Sequence, residues 1–479
     1  MRRLLASPGA ALFVLALVSY AYFYQAGGWN QNTRFAMTRA AVEEGSARID
    51  RYHHATGDKA ERGGHYYSDK APGASWLGIP AYAAVRLASG AQLDGKRADR
   101  AAYAVTVWSV GMPSAAAVAA LYALLGVFGL GVGARIGAAL AYGFGTLALP
   151  FATLYYGHQL TAALVLIGLY ALVRACRDTV PNAGPVALVG AGLSFGYAIA
   201  VEYPTALAVV PCLVYAAWHV RPRGRLAYLA LGLALPGLAV AAYHAIAFGG
   251  PFTLPYEFST QPHRHQGAFM GLGIPSAEVL WAIVGSSYRG LVFSAPWLAL
   301  ALPGGVALWR RGFRSEAALC AAVPVLFLWM NASLVDWEGG WTFGPRYLVP
   351  TIPFLAIAAA GLALAAGPHW LQRAGWTLAI AAVTVSVVMM LIATSVKPEV
   401  PVYIERPFGD YLWPQFVRGD LAVSTQSIES PAAPEGGPRH AWNLGQLLGL
   451  RGLASLLPLA ALWFAGTAWL IRVAQRRSL

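Results

Sequence analysis

WNQNTRF (29–35), EEG (43–45), RID (48–50), TGDK (56–59) and GHYYSDKAPG (64–73) are the polar knots of one segment, Gln25 to Gly73, that follows the first apolar run of the chain. The segment carries seven basic side chains (Arg34, Arg39, Arg48, Arg51, Lys59, Arg62, Lys70) and six carboxylates (Glu43, Glu44, Asp50, Asp58, Glu61, Asp69). That much charge cannot lie in lipid, and the apolar runs on either side leave no room for a separate domain. The segment reads as a folded loop on a membrane surface, lying over a cavity formed by helices.

The remainder of the 479 residues supports this. Hydrophobic residues make up 57% and charged ones only 11%, the balance of a polytopic membrane protein and not of a soluble domain. Thirteen apolar runs recur at 9–25, 74–89, 103–129, 134–152, 159–174, 185–201, 204–219, 226–248, 289–309, 316–334, 347–366, 374–396 and 449–472. A net charge of +13 would suggest nucleic acid in a soluble chain, but here the arginines cluster in short linkers between apolar runs, which excludes that class. Cys176, Cys212 and Cys320 sit in or beside apolar runs and form neither a disulfide framework nor a metal motif.

Orientation turns on the run 74–89. If it is a surface or re-entrant helix, and Arg2 and Arg3 hold the N-terminus inside, the clusters at Arg174 and Arg177, Arg221 to Arg225, Arg310 to Arg314, Arg373 and Arg472 to Arg477 all fall on the cytoplasmic side. The expectation is an all-α polytopic membrane protein of twelve spans, with thirteen as the alternative. It divides into a membrane module (1–248, including the outer loop 25–73), an outer loop (249–288) and C-terminal helices (289–479) with outer loops 335–346 and 397–447. One face then collects 25–73, LYYGHQL (154–160), VEYP (201–204), PFTLPYEFSTQPHRHQ (251–266), VDWEGGWTFGPRY (335–347) and 397–447. Convergence of polar loops on a helical scaffold is how active sites are commonly built. The 397–447 segment reads as a lid or as an ordered connector.

One helix, a large polar loop with Arg-aromatic, Glu-Gly and Tyr-Tyr-x-Asp-Lys-x-Pro-Gly in that order, and a long row of helices resemble the GT-C membrane glycosyltransferases. The nearest branch holds the protein mannosyltransferases and the lipid A aminoarabinose transferase. Asp69-Lys70-Ala71-Pro72 is similar to the acidic-Lys-Pro-Pro signature that ends the first outer loop there, Arg34-Phe35 to its Arg-Tyr, and Glu44-Gly45 to the small-Gly turn between. The family's acidic pair before that arginine is replaced by Gln31 and Asn32, so either the base sits elsewhere in the loop or the acceptor chemistry differs.

The resemblance implies transfer of a sugar from a polyprenyl-phosphate carrier to a cell-envelope glycan, lipid or protein, outside the cytoplasm. Ala, Gly and Arg richness points to a bacterium of high genomic GC content, and the expected location is a bacterial inner membrane with the site facing outward. Such a site needs a carboxylate base, cations for the departing phosphate and an apolar groove for the lipid. The catalytic candidates are Asp50 and Asp58, each of which can equally be a turn residue, and Asp69, which by the resemblance fixes Lys70 through an ion pair. Arg34, Lys70 and Arg346 are the phosphate-binding candidates, with Arg346 alternatively paired to Asp336 or Glu338. Gln31, Asn32, His65, Tyr66, His158, Glu202, Tyr256 and Asp336 are the sugar or acceptor candidates. Glu257, His263 and His265 read as a solvated loop, and no metal site is expected from the spacing. Some members of the family use a divalent cation and others do not, so no cofactor is fixed. The competing readings are a transporter or flippase for a lipid-linked sugar, and an inactive relative that scaffolds envelope assembly.

Overall fold

Without water, long runs of Leu, Ala and Val satisfy their backbone polar groups only as helix. The computed structural model describes residues 7–90, 92–177, 183–261, 271–366, 368–430, 432 and 436–475. Arg2, Arg3, Arg476 and Arg477, used above for orientation, and His263 and His265 lie outside these residues. Among the described residues, eight helices are long and apolar enough to cross a bilayer: Lys96–Val127, Gly157–Arg177, Gly184–Val201, Arg223–Phe248, Arg314–Ala332, Arg346–Leu364, Gln372–Val396 and Gly452–Gln475.

In chain order the main helices are α1 (Pro8–Tyr20), α2 (Trp29–Glu43), α3 (Gly73–Ser89), α4 (Lys96–Val127, with a π turn at Val107–Gly111) and α5 (Val132–Phe144). There follow α6 (Gly157–Arg177), α7 (Ala183–Val201), α8 (Ala206–His219), α9 (Leu226–Phe248) and α10 (Ala277–Val284). Last come α11 (Ala301–Arg310), α12 (Arg314–Ala332), α13 (Ile352–Ala360), α14 (His369–Val396) and α15 (Leu457–Gln475). Four of the expected spans are short or interrupted. The described part of the first is the 13 residues of α1, begun by the Ser7 side chain accepting from Ala10 N–H. The run at 134–152 breaks at Gly145 before a turn at Ala148–Phe151, that at 204–219 carries Pro204 and Pro211, and that at 289–309 is split around Pro296.

The run 74–89 folds as α3, which contains Pro80, stops at Gly90 in the left-handed region (φ 60°) and packs between α2 and α4. It is not among the eight membrane-length apolar helices. The 25–73 segment is not an irregular loop: α2 buries every side chain from Asn30 to Ala40. Strands β2 (Lys59–Arg62) and β3 (His65–Ser68) then form a hairpin. Its two-residue turn needs positive φ twice, and Gly63 and Gly64 supply 61° and 76°.

The chain also closes on itself. β1 (Phe23–Tyr24) pairs antiparallel with β4 (Trp442–Asn443), Phe23 opposite Asn443. The late segment is tied down elsewhere by Phe343 N–H to Pro398 O (2.7 Å), Thr342 N–H to Val400 O (2.9 Å), Arg39 Nη1 to Glu429 Oε1 (2.8 Å) and His440 Nδ1 to Asp99 Oδ2 (3.0 Å). The polar segments at 25–73, 155–158, 202–204, 256–261, 336–347 and 397–400 therefore meet at one end of the bundle, above an apolar core that runs from α1 through α14.

Candidate active site

A fully buried guanidinium must have every N–H answered, and Arg34 on α2, 0% exposed, nearly does. Its Nη2 lies 2.5 Å from Glu202 Oε1, Nε donates to Asn30 Oδ1 at 3.1 Å and Nη1 to Ala71 O at 3.4 Å. Glu202 stands where α7 ends and the chain turns into α8, so this ion pair ties the polar segment to the junction of two helices. Arg34 is thereby committed to a carboxylate and lies behind Asn30 and Glu202, which line a cavity. Space around the pair is tight: a Cβ on Gly157 would stand 2.2 Å from Glu202 Oε1. Gly157→Ala is therefore expected to push Glu202 off Arg34 and to lower stability by about 1–3 kcal/mol, read as a drop in detergent melting temperature.

Lys70 follows β3. Its Nζ sits 2.9 Å from Asp69 Oδ1 and 3.1 Å from Asp58 Oδ2, and Asp69 Oδ2 also receives Ser259 Oγ at 3.4 Å. Three of the sequence candidates are thus brought into one cluster with a net charge of minus one. Asp69 is wholly buried, whereas the Asp58 side chain keeps 15% of its surface. The lysine ammonium stands between the two carboxylates, the place a divalent cation would take, so these residues do not fit a resident metal. Among the described residues no group of three or more His, Cys, Asp or Glu could hold one.

The opposite wall comes from the Gly-rich segment before α13 and from the start of α6. The Arg346 guanidinium lies 5.7 Å from the Tyr156 ring centre and 5.3 Å from that of Tyr347. Its buried Nε meets no hydrogen-bond partner among the described residues, and neither does Nε2 of His158, which is ringed edge-on by Phe151, Tyr156 and Tyr347. Asp336, an expected partner of Arg346, accepts from the Tyr347 hydroxyl at 3.2 Å and so supports this wall from behind. Arg289, which the sequence reading passed over, is 1% exposed and donates to Thr342 O and, at 3.1 Å, to Gly340 O, fixing the turn that presents Arg346.

Between these walls lies a cavity of about 300 Å³. Asn30, Lys70, His158, Glu202, Tyr256 and Arg346 line its polar part, and Leu207, Phe327, Trp329, Met330 and Leu334 its apolar part. Ala206 and Leu207 also belong to a second, apolar groove of about 640 Å³ between α8 and α12, bounded by Val210, Val214, Trp218, Leu319 and Leu326. The groove opens sideways, since Val210, Val214 and Trp218 are exposed. Near its far end Arg177 pairs with Glu316 at 2.6 Å, and Tyr215 donates to the same oxygen.

Other candidates lie away from the cavity. Asp50 accepts from Tyr66 N–H at 2.7 Å and pairs with His65 Nδ1 at 2.8 Å, both side chains about two-fifths exposed. Tyr66 stacks on His53 at 4.1 Å. These residues brace the hairpin. Gln31 and Asn32 do structural work that carboxylates could not. Asn32 Nδ2 donates to the carbonyls of Ala55 (2.8 Å) and Ser427 (3.0 Å); a carboxylate would face both oxygens with no proton to offer. Gln31 accepts from Tyr155 N–H at 2.9 Å and donates to Glu399 Oε2 at 3.0 Å.

Glu399 is the carboxylate the sequence reading missed, although KPEVP (397–401) at the end of α14 places a charge pair where a span ends. Burial pushes its carboxyl up to about 7, against the opposing pull of Tyr156, Lys397, Arg346 and Gln31. The folded chain therefore keeps a proton that the unfolded chain releases near 4.5, and stability is lost as pH rises from there through about 7. At roughly 1.4 kcal/mol per unit the ionised group costs on the order of 3 kcal/mol. Between about pH 5 and pH 8 the melting temperature of the wild type is expected to fall by several degrees relative to Glu399→Gln.

Among solved structures, the fold is similar to that of ArnT from Cupriavidus metallidurans bound to undecaprenyl phosphate (TM-score 0.51, 17% identity, covering 97% of this chain and 75% of that one). It is also similar to the archaeal oligosaccharyltransferase AglB from Archaeoglobus fulgidus in complex with an inhibitory peptide and a dolichol-phosphate (TM-score 0.51, 12% identity, covering 89% of this chain and 60% of that one). At these identities the likeness is one of fold. No protein-family model and no curated protein matches the sequence.

Proposed function

We propose, from the GT-C polytopic membrane fold that this chain has, that it is a glycosyltransferase moving a sugar from a polyprenyl-phosphate donor to a cell-envelope acceptor. The observation that carries this reading is that the apolar groove between α8 and α12 shares Ala206 and Leu207 with a cavity holding Lys70, Arg346 and His158. An isoprenoid tail fits the groove, and its phosphate fits the cations at the head. The lipids bound in the two similar structures, undecaprenyl phosphate and a dolichol-phosphate, are of that chemical class.

In the reaction the acceptor hydroxyl oxygen attacks the anomeric carbon as the bond from that carbon to the phosphate oxygen breaks. The bonding pair leaves with the phosphate, giving polyprenyl phosphate, and the acceptor proton passes to a carboxylate. Asp58 is the base, because it is the partly exposed member of the Lys70 cluster. Asp69 holds Lys70 in place, and Lys70 and Arg346 stabilise the charge that grows on the departing phosphate. Glu202, Tyr256 and Asn30 offer hydrogen bonds to sugar hydroxyls. The linkers bearing Arg174, Arg177, Arg221, Arg223, Arg225, Arg310, Arg311 and Arg314 lie at the other end of the helices, so the positive-inside rule turns the site outward from a bacterial inner membrane.

The reading is tested with the purified chain in liposomes, a panel of radiolabelled polyprenyl-phosphate sugars and a crude envelope-glycan acceptor. Label in the acceptor, abolished in a folded Lys70→Ala variant, is expected. Labelled lipid that crosses the bilayer intact, with none consumed, would replace the enzyme by a transporter.

A further inference from the structure

Glu399 takes no part in the reaction above, yet it is built in with care. It is 3% exposed, and its two oxygens are claimed from different elements: Oε2 accepts from Gln31 Nε2 of α2 at 3.0 Å and Oε1 from the Tyr156 hydroxyl at 2.6 Å. Backbone closes over it, because a Cβ on Gly28 would stand 2.4 Å from Oε1. The flanking residues Pro398 and Val400 are pinned through their carbonyls to Phe343 and Thr342, in the same segment that presents Arg346. The charged or titratable groups that face it are Tyr156 from the turn before α6, Lys397 on its own segment and Arg346 from the far wall. Lys397 lies over the Trp341 ring at 4.9 Å. A buried carboxyl is costly, so one held by hydrogen bonds from two different elements does more than fill space.

We infer that Glu399 is a positioning residue for the Arg346 side of the donor cavity: it anchors the Tyr156 hydroxyl so that the ring stays beside the Arg346 guanidinium, and so sets how that cation meets a lipid phosphate. Supplied from the late segment, it gives α2 the acidic neighbour that Gln31 and Asn32 do not provide. The inference deepens the glycosyltransferase reading and rests on it for the identity of the anion, but its test reads binding and not transfer. Because the carboxyl titrates near neutrality, its negative charge appears beside Arg346 as pH rises and weakens the attraction for phosphate.

The test uses the full chain in nanodiscs, with undecaprenyl phosphate as the probe, titrated at about pH 6 and about pH 8.5. Glu399→Ala and Tyr156→Phe are each expected to weaken binding roughly tenfold, and the double variant no further, because the two act through one contact. Glu399→Gln can accept from Gln31 and donate to the Tyr156 oxygen. It is expected to bind as the wild type does at the lower pH and to lose the part of the pH dependence that comes from the carboxyl. A structural role alone would not produce that split. The inference is overturned if folded Glu399→Ala binds like the wild type, if Glu399→Gln keeps the full wild-type pH dependence, or if the wild type does not bind the probe. Binding with this pattern in a wild type that transfers no sugar upholds the positioning role and rejects the enzyme.

Discussion

Lys70→Ala is expected to lower turnover by at least about 10³-fold, the largest effect of any single change in the site. Two losses combine. A cation that lines the cavity is removed, and Asp58 and Asp69, held 3.1 and 2.9 Å from its ammonium, are left without it. Breaking a buried pair from one side costs about 3–5 kcal/mol, because it leaves the carboxylates uncompensated, so the surroundings of the base are disturbed together with the electrostatics. Folding is separated from chemistry by the double variant Lys70→Ala with Asp69→Asn, which removes the buried charge. Its melting temperature is expected to recover while its turnover does not. A single-turnover assay beside a thermal melt checks both, and a double variant that regained activity would show that Lys70 has only a structural part.

Asp58→Asn is expected to reduce kcat by about 10²–10⁴-fold while leaving KM within a few-fold, the pattern for losing a general base. Lys70 keeps its pairing with Asp69 in this variant, so the fold is expected to stand. Asp50→Asn is the matched control. That carboxylate braces Tyr66 and His65 on the far side of the hairpin, and its loss is expected to change turnover by less than about twofold, with a small loss of stability. Equal losses in the two variants would contradict the assignment of Asp58, and a loss confined to Asp50→Asn would move the base to the hairpin surface.

Much of the fold was legible because the signals that specify it are local. Apolar runs and their linker arginines each report on a few neighbouring residues, and the Asp69-Lys70 pair followed from the family resemblance; the Gly63-Gly64 hairpin turn, by contrast, lay unread inside a segment taken as a loop. Long-range pairing was not legible. Arg34 finds Glu202 across 168 positions and Gln31 finds Glu399 across 368, and no periodicity in the sequence encodes either meeting. For the same reason Asp50 and Asp58, eight positions apart and similar on paper, could not be told apart until the hairpin placed one outside and turned the other toward Lys70. In the sequence, Gln31 and Asn32 in place of the family's acids read as a base located elsewhere or a different acceptor chemistry. In three dimensions the replacement is a demand of packing, since the two amides bridge carbonyls and a late carboxylate that charged residues would repel.

The broken helices have a physical reading as well. Pro204, Pro211 and Pro296 interrupt runs that hydropathy alone joins, and the helix that begins beyond Pro204 and contains Pro211 forms one wall of the apolar groove. Helix interruptions at membrane depth are tolerated where they border a cavity or are buried in protein, and α8 begins at one of the cavity's lining residues, Ala206.

If this cavity transfers a sugar from a lipid phosphate, its two products form in fixed proportion. With wild-type protein, a labelled polyprenyl-phosphate sugar and an envelope-glycan acceptor, polyprenyl phosphate and glycosylated acceptor are expected to appear in equal amounts and at equal rates. Both should vanish in Asp58→Asn and Lys70→Ala. Donor that binds and remains intact through many hours, or crosses the bilayer without yielding polyprenyl phosphate, would rule out sugar transfer by this protein.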